Sequence, residues 1–350
     1  MKPNPKEAAV KFVAVLYPGP TERHVDHSGL DLLGSTEGAL GLTKLLESEG
    51  HELVALSDRD EALREHLPDA DVFITTPFWP TYLSADALDR AKRLKLVLTA
   101  GVGSDHIDAD AATRNGITVA EVTGSNVVSV AEHAVMQLLT LVRNYIPAYQ
   151  QVLDGRWDIA DIAARSHDLE DKTVGIIGMG QIGQRIALRL KGFDVKVLYN
   201  TKHRRSSTEE SVFAARYKHL DDLVHQSDAI VLSCPLTDET RGLFNEERLR
   251  SMKPGSWLVN IARGQIVDTD ALVRVLDDGH LGGYAGDVWY PQPAPSDHPW
   301  RTMPGHAMTP HVSGTSLEAQ QRYAAGIQDT VRRFLNAQPL QEDYVVAAPK

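Results

Sequence analysis

The chain has 350 residues, long for one domain and suited to two. An apolar fraction of 42% lets each bury a core, and a net charge of -11 argues against a nucleic-acid binder. The single cysteine, Cys234, excludes an internal disulfide and points to a reducing compartment; the polar opening MKPNPKEAAVKF lacks the apolar stretch of a signal peptide, and no long apolar run occurs, so a cytoplasmic protein is expected.

In chain order, short apolar runs alternate with helical patterns. Strands are expected at Phe12-Tyr17, Glu52-Leu56, Asp71-Thr75, Leu96-Thr99 and Thr118-Val122, with helices near 37-49, 84-93 and 108-115. Residues Val127-Leu153 are apolar at helical spacing and read as one long helix, either a bridge with a face for a partner subunit or a buried core helix. A second strand series follows at Thr173-Ile177, Val195-Tyr199, Ala229-Ser233, Ser256-Ile261 and Gly283-Val288, with helices near 181-191, 244-251 and 268-278. The segment 290-305 is proline-rich and aperiodic, as functional loops often are, and Ser316-Leu335 reads as a closing helix that returns to the first domain. The pattern predicts an α/β fold with two Rossmann-like domains and parallel sheets. The expected division is a second unit, 127-312, inserted into a first made of 1-126 and 313-350; if the second binds a dinucleotide, as the turn at 178-183 suggests, the first is left for the substrate.

The turn Gly178-Met179-Gly180-Gln181-Ile182-Gly183 follows a strand and opens an amphipathic helix, which lifts it above a chance run of glycines. Gly178 permits the tight turn, Gly180 lets the backbone approach a pyrophosphate, and Gly183 lets helix and strand pack closely. A bound dinucleotide is therefore expected. NAD-binding proteins usually place a carboxylate after the second strand to bind the ribose hydroxyls. Here that strand runs into Asn200-Thr201-Lys202-His203-Arg204-Arg205, with no carboxylate. Small Thr201 followed by cations suits a 2′-phosphate, so NADP is the expected preference over NAD; the plain alternative is a solvated basic loop.

Three later segments present polar groups at or beyond strand ends, where open α/β sheets bind ligands. They are Asn260-Ile261-Ala262-Arg263-Gly264, Gly286-Asp287-Val288-Trp289-Tyr290-Pro291-Gln292-Pro293 and Thr309-Pro310-His311-Val312-Ser313-Gly314. One arginine, or one of 14 histidines, is weak by itself. Together they suggest a site for a small anion beside the nicotinamide.

With these segments, and with Pro77-Phe78-Trp79-Pro80, Ala100-Gly101-Val102-Gly103-Ser104-Asp105-His106 and Thr123-Gly124-Ser125-Asn126, nearly the whole chain resembles the D-2-hydroxyacid dehydrogenase family. Within it, the sequence is similar to the metal-free, NAD(P)-dependent formate dehydrogenases. The resemblance implies Arg263, Asn126, His311 and Gln292 as active-site polar groups. It places Pro77, Phe78 and Val102 at the substrate, and Asp287 and Ser313 near the nicotinamide carboxamide. Beyond the glycine turn with Gln181 and Ile182, it implies cofactor contacts at Thr201, Lys202, His203, Arg204, Pro235, Ile261, Arg263, His311 and Gly314. It also implies a homodimer joined through the cofactor domain and no metal. Two positions depart from the pattern: Val102 stands where Ile is usual, and Thr201 where NAD-specific members carry Asp. Gln292 also stands where hydroxyacid dehydrogenases keep Glu. A histidine that removes a hydroxyl proton gains from a carboxylate partner, whereas formate loses only hydride and leaves as CO2. The competing readings are a hydroxyacid dehydrogenase or glyoxylate reductase, and a non-catalytic dinucleotide sensor.

Overall fold

The computed structural model describes residues 9-21 and 29-349; most of the polar N-terminal stretch, 1-8, lies outside them. Two units emerge, one of residues 1-126 with 314-350 and one of 127-313.

In the first unit, β1 (Lys11–Val15), β2 (Glu52–Leu56), β3 (Val72–Thr75), β4 (Leu96–Thr99) and β5 (Thr118–Glu121) pair in parallel, in the order β2-β1-β3-β4-β5. Strands covered on both faces by helices must be apolar on both faces, and β3 and β4 are buried at every position. Phe12, Ile74 and Leu98 pack on one side of the sheet, and Val13, Phe73 and Val97 on the other. The closing helix Leu317–Leu335 packs Tyr323, Ala324, Ile327 and Val331 onto the first of these faces. One strand departs from the all-parallel expectation. Val345–Ala347 joins the β5 edge in antiparallel register, a pairing that needs no crossover helix.

In the second unit, β6 (Thr173–Ile177), β7 (Lys196–Asn200), β8 (Ala215–Tyr217), β9 (Ala229–Leu232), β10 (Trp257–Asn260), β11 (Gly283–Gly286) and β12 (His306–Met308) form a seven-stranded parallel sheet. The order β8-β7-β6-β9-β10-β11-β12 puts the reversal of strand order between β6 and β9, where doubly wound sheets bind their ligands. β8 and β12 were not legible as strands: each has three residues, and each exists only through pairing with a neighbour.

The expected long helix is two, Val127–Val142 and Tyr145–Leu153. Asn144 between them adopts φ 52°, a left-handed conformation that Asn tolerates better than most residues. Pro147 explains the break. A continuous helix would set its ring against the carbonyl of Arg143; in the first turn of a new helix its missing N–H costs nothing. The proline-rich segment holds only one short turn, Pro299–Arg301, yet it is anchored. Trp300 is fully buried against Tyr284, Trp289 and His298, and Arg301 donates to the carbonyls of Ala294 and Pro295 while lying over the Trp289 ring.

Candidate active site

The turn after β6 has the geometry a pyrophosphate needs. Gly178 sits at φ 100°, and a Cβ there would lie 2.6 Å from the Cys234 nitrogen on the adjoining β9 loop. A Cβ on Gly183 would collide with the Gly178 carbonyl. Gly180 has open space where its Cβ would be and caps the ten-residue helix Gln181–Leu190 with no side-chain hydrogen bond. The helix N-terminus thus keeps unsatisfied N–H groups and its positive dipole end beside an exposed glycine, so the residues present fit a dinucleotide phosphate. Ser233 Oγ, which was not singled out from the sequence, donates to the Gly178 carbonyl at 2.7 Å and locks the turn to β9. Pro235 is exposed on that same loop, and Ile261 is buried at the end of β10.

Beyond β7, Thr201 is half-buried and Lys202, His203 and Arg204 are exposed. Arg204 makes two bonds to Glu210, at 2.9 and 3.1 Å, and covers the Tyr217 ring. Glu210 also accepts the Tyr199 hydroxyl, and the Arg204 guanidinium holds its carboxyl below the usual range. Lys202 stands 3.7 Å from Glu239 with both side chains largely exposed, a weak pair. The cation bound to the glycine turn itself is Arg205, whose Nε and Nη2 donate to the Met179 carbonyl at 3.0 and 2.6 Å. Arg205 was visible in the basic run, but nothing in the sequence distinguished it from Arg204.

Arg263, Gln292 and His311 lie on the loops that follow β10, β11 and β12. Asn260, fully buried, shapes the arginine loop: its Nδ2 donates to the Arg263 carbonyl and its Oδ1 accepts the Ala262 N–H. Gly264 makes room for the next loop, since a Cβ there would lie 2.7 Å from the Trp289 carbonyl carbon. His311 is 8% exposed, sits at φ 56° and bonds Gln292 Oε1 through Nδ1 at 2.9 Å. Asp287 has an internal task. It is fully buried and accepts the N–H groups of Val312 and Ser313, each at 2.8 Å, and the Thr309 hydroxyl at 2.6 Å.

In the first unit, Pro77, Phe78 and Asn126 are buried together around two glycines. A Cβ on Gly101 would meet Pro77 and the Phe78 ring at 3.0 and 3.3 Å, and one on Gly314 would meet Asn126 Nδ2 at 2.6 Å and Phe78 at 3.0 Å. Gly314 packs in this cluster. The loop carrying half-buried Val102 is pinned by Glu121, which accepts the Gly103 N–H and the Ser104 hydroxyl. Trp79 packs against the core and donates to the Ser57 carbonyl.

The sequence profile of the D-isomer specific 2-hydroxyacid dehydrogenase NAD binding domain matches residues 135-313. A formate dehydrogenase of Chaetomium thermophilum is 52% identical over 93% of this chain and 91% of its own. This chain belongs to the formate dehydrogenases of the D-2-hydroxyacid dehydrogenase family. Two solved formate dehydrogenases agree. That of Granulicella superposes with TM-score 0.92 at 43% identity over 97% of this chain and 98% of its own. The NAD-dependent enzyme of Staphylococcus aureus, solved with NAD, gives 0.89 at 46% identity over 97% and 100%. In this formate dehydrogenase family member, the residues that match the NAD binding domain all lie in the second unit.

Proposed function

We propose that the protein oxidises formate to CO2 by direct hydride transfer to a nicotinamide dinucleotide, with NADP preferred to NAD. The observation that carries the substrate reading is the His311–Gln292 hydrogen bond. A carboxylate in that position accepts only, and it stabilises an imidazolium suited to removing a hydroxyl proton. An amide is neutral and can present either end to the ring, so it orients the imidazole without charging it. Formate oxidation needs no substrate proton removed, so an oriented neutral ring suffices.

The bound cofactor supplies the hydride acceptor, C4 of its nicotinamide. The protein's part is to hold formate and shape its surroundings. Arg263 takes the carboxylate through two charge-assisted hydrogen bonds, and Asn126 donates a further one, as does the Val102 backbone N–H. Pro77, Phe78 and Val102 supply an apolar wall that excludes larger acids and suits an uncharged product. Interactions that fix orientation without over-stabilising the formate anion favour the step, because the charge disappears as CO2 forms. In this reading the first unit is the substrate domain and the second presents the remaining polar groups.

Absorbance assays with formate and each cofactor, beside glyoxylate and hydroxypyruvate, test the assignment directly. Turnover of the oxo acids without formate oxidation would establish a hydroxyacid dehydrogenase, and tight cofactor binding without any turnover a sensor. Gln292→Glu is expected to lower kcat/KM for formate by about tenfold or more and to add an acid limb to its pH profile, because the new carboxylate raises the pKa of His311. An unchanged rate and profile would remove Gln292 from the mechanism.

A homodimer is the proposed assembly, and an exposed apolar surface on the second unit supports it. Tyr145, Ile146, Tyr149, Val152, Leu153, Trp157 and Ile159 are all largely exposed, Trp157 at 83%. Large apolar side chains left exposed along one stretch of chain are what a partner-covered surface shows when the partner is absent. Trp157→Asp is expected to shift the sedimentation coefficient from dimer to monomer at micromolar concentration; a variant that stays dimeric would place the interface elsewhere. A reducing cytoplasmic location is proposed as well. It is supported by the lone Cys234, which is buried and has its thiol pKa pushed up to about 11. Among the described residues, no helix is long and apolar enough to cross a membrane.

A further inference from the structure

The helix Val127–Val142 carries two polar residues one turn apart, His133 and Gln137, among apolar neighbours. Both reach one atom on the far side of the second unit's sequence. His133 Nε2 lies 3.1 Å and Gln137 Nε2 3.2 Å from Thr309 Oγ1. Thr309 Oγ1 in turn lies 2.6 Å from Asp287 Oδ1. A hydroxyl has one proton and two lone pairs. The carboxylate can only accept and is much nearer than the other acceptor in reach, the Gly286 carbonyl at 3.3 Å, so the Thr309 proton goes to Asp287, and the two lone pairs receive N–H groups from Gln137 and His133. The hydroxyl is then saturated, and His133 must carry its proton on Nε2. Burial pushes the His133 pKa down, opposed by the Asp287 charge 3.8 Å away.

Asp287 passes this order to the catalytic turn. Its carboxylate accepts the two N–H groups that directly follow His311, from Val312 and Ser313. His311 itself is a non-glycine residue at φ 56°, a conformation that persists only where its surroundings impose it. Its imidazole direction, and with it the bond to Gln292, depends on that backbone angle.

We propose that His133 is a positioning residue for formate oxidation: through Thr309 and Asp287 it fixes the backbone turn that aims His311. The idea rests on the assignment of His311 to the active site. Hydrogen–deuterium exchange of the cofactor-free protein tests the relay without reference to activity. In His133→Leu, the Val312 and Ser313 amides are expected to exchange about tenfold faster or more, with other strand amides of the second unit unchanged. The same variant should lose about tenfold in kcat for formate per cofactor-binding site, while the cofactor Kd changes less than about threefold. His133→Gln, which keeps a side-chain N–H donor, should recover most of both losses. If His133→Leu fails to fold, Thr309→Val removes the same hydroxyl at nearly constant volume and should give the same two effects. Unchanged exchange at 312 and 313 in a folded variant overturns the relay. Faster exchange with full kcat overturns the catalytic consequence. His311→Ala separates that result from a fault in the underlying assignment, since full turnover there would remove His311 itself from the active site.

Discussion

Arg263→Ala is expected to lower kcat/KM for formate by on the order of a thousandfold, with most of the loss in KM. Formate is a single carboxylate with almost no apolar surface, so its affinity must come from charge-assisted hydrogen bonds. Removing a bidentate partner of a buried anion costs about 3–5 kcal/mol, and each 1.4 kcal/mol is a factor of ten. The backbone around residue 263 should survive the change. Its carbonyl is held by Asn260 Nδ2, and the following glycine packs against the Trp289 loop, neither of which uses the guanidinium. The bond from Nη1 to the Ala262 carbonyl is lost with the guanidinium. Cofactor affinity, followed by fluorescence titration, should therefore change far less than formate KM. Arg263→Lys should recover only part of the activity, because an ammonium cannot make the planar two-point contact. A normal formate KM in Arg263→Ala would refute the assigned role.

The second large effect concerns the cofactor. Thr201→Asp is expected to lower kcat/KM for NADP by on the order of a hundredfold while leaving that for NAD within a few-fold. A carboxylate at the end of β7 would repel a 2′-phosphate at short range and accept hydrogen bonds from ribose hydroxyls instead. The neighbouring cations are engaged to different degrees. Arg204 is paired with Glu210, and Arg205 is tied to the glycine turn, whereas Lys202 and His203 are exposed. Arg204 is exposed but its partner Glu210 is half-buried and holds it by two bonds, so turning Arg204 to a phosphate means giving up a well-made pair, and Lys202 and His203 are the cations free to move first. A wild-type protein with a large advantage for NAD would overturn the proposed preference, and an unchanged cofactor ratio in Thr201→Asp would show that residue 201 does not meet the ribose.

The parts of this protein legible in its sequence are those whose physics is local. The run Gly178 to Gly183 identifies a phosphate turn because strand, tight turn and helix N-terminus are contiguous in the chain. The parallel sheets are legible for a similar reason: strands buried on both faces read as short apolar runs between helical patterns, as Val72–Thr75 and Ala229–Leu232 do. The break at Asn144 was written in Pro147 but outweighed by the apolar periodicity on either side. β8 and β12, at three residues each, carry no period to read.

Arg263, Gln292 and His311 could be named from the sequence as residues of the right chemistry near strand ends. That Gln292 orients His311 was already implied by the resemblance, and the bond is there; that the turn carrying His311 hangs on Asp287 follows only from how the loops after β11 and β12 pack. His133 gave no signal beyond a polar residue on an apolar helix, because its partner Thr309 is 176 positions away. The same holds for the basic run at 202-205: its charge is a property of the chain, but which cation is spent on Glu210 and which on the Met179 carbonyl is decided by neighbours that folding brings up. Backbone preference and hydrophobic period act over a few residues and determined the dinucleotide turn. Hydrogen-bond valence and close packing act over a few ångströms of space, and they determined which side chains are aimed and by what.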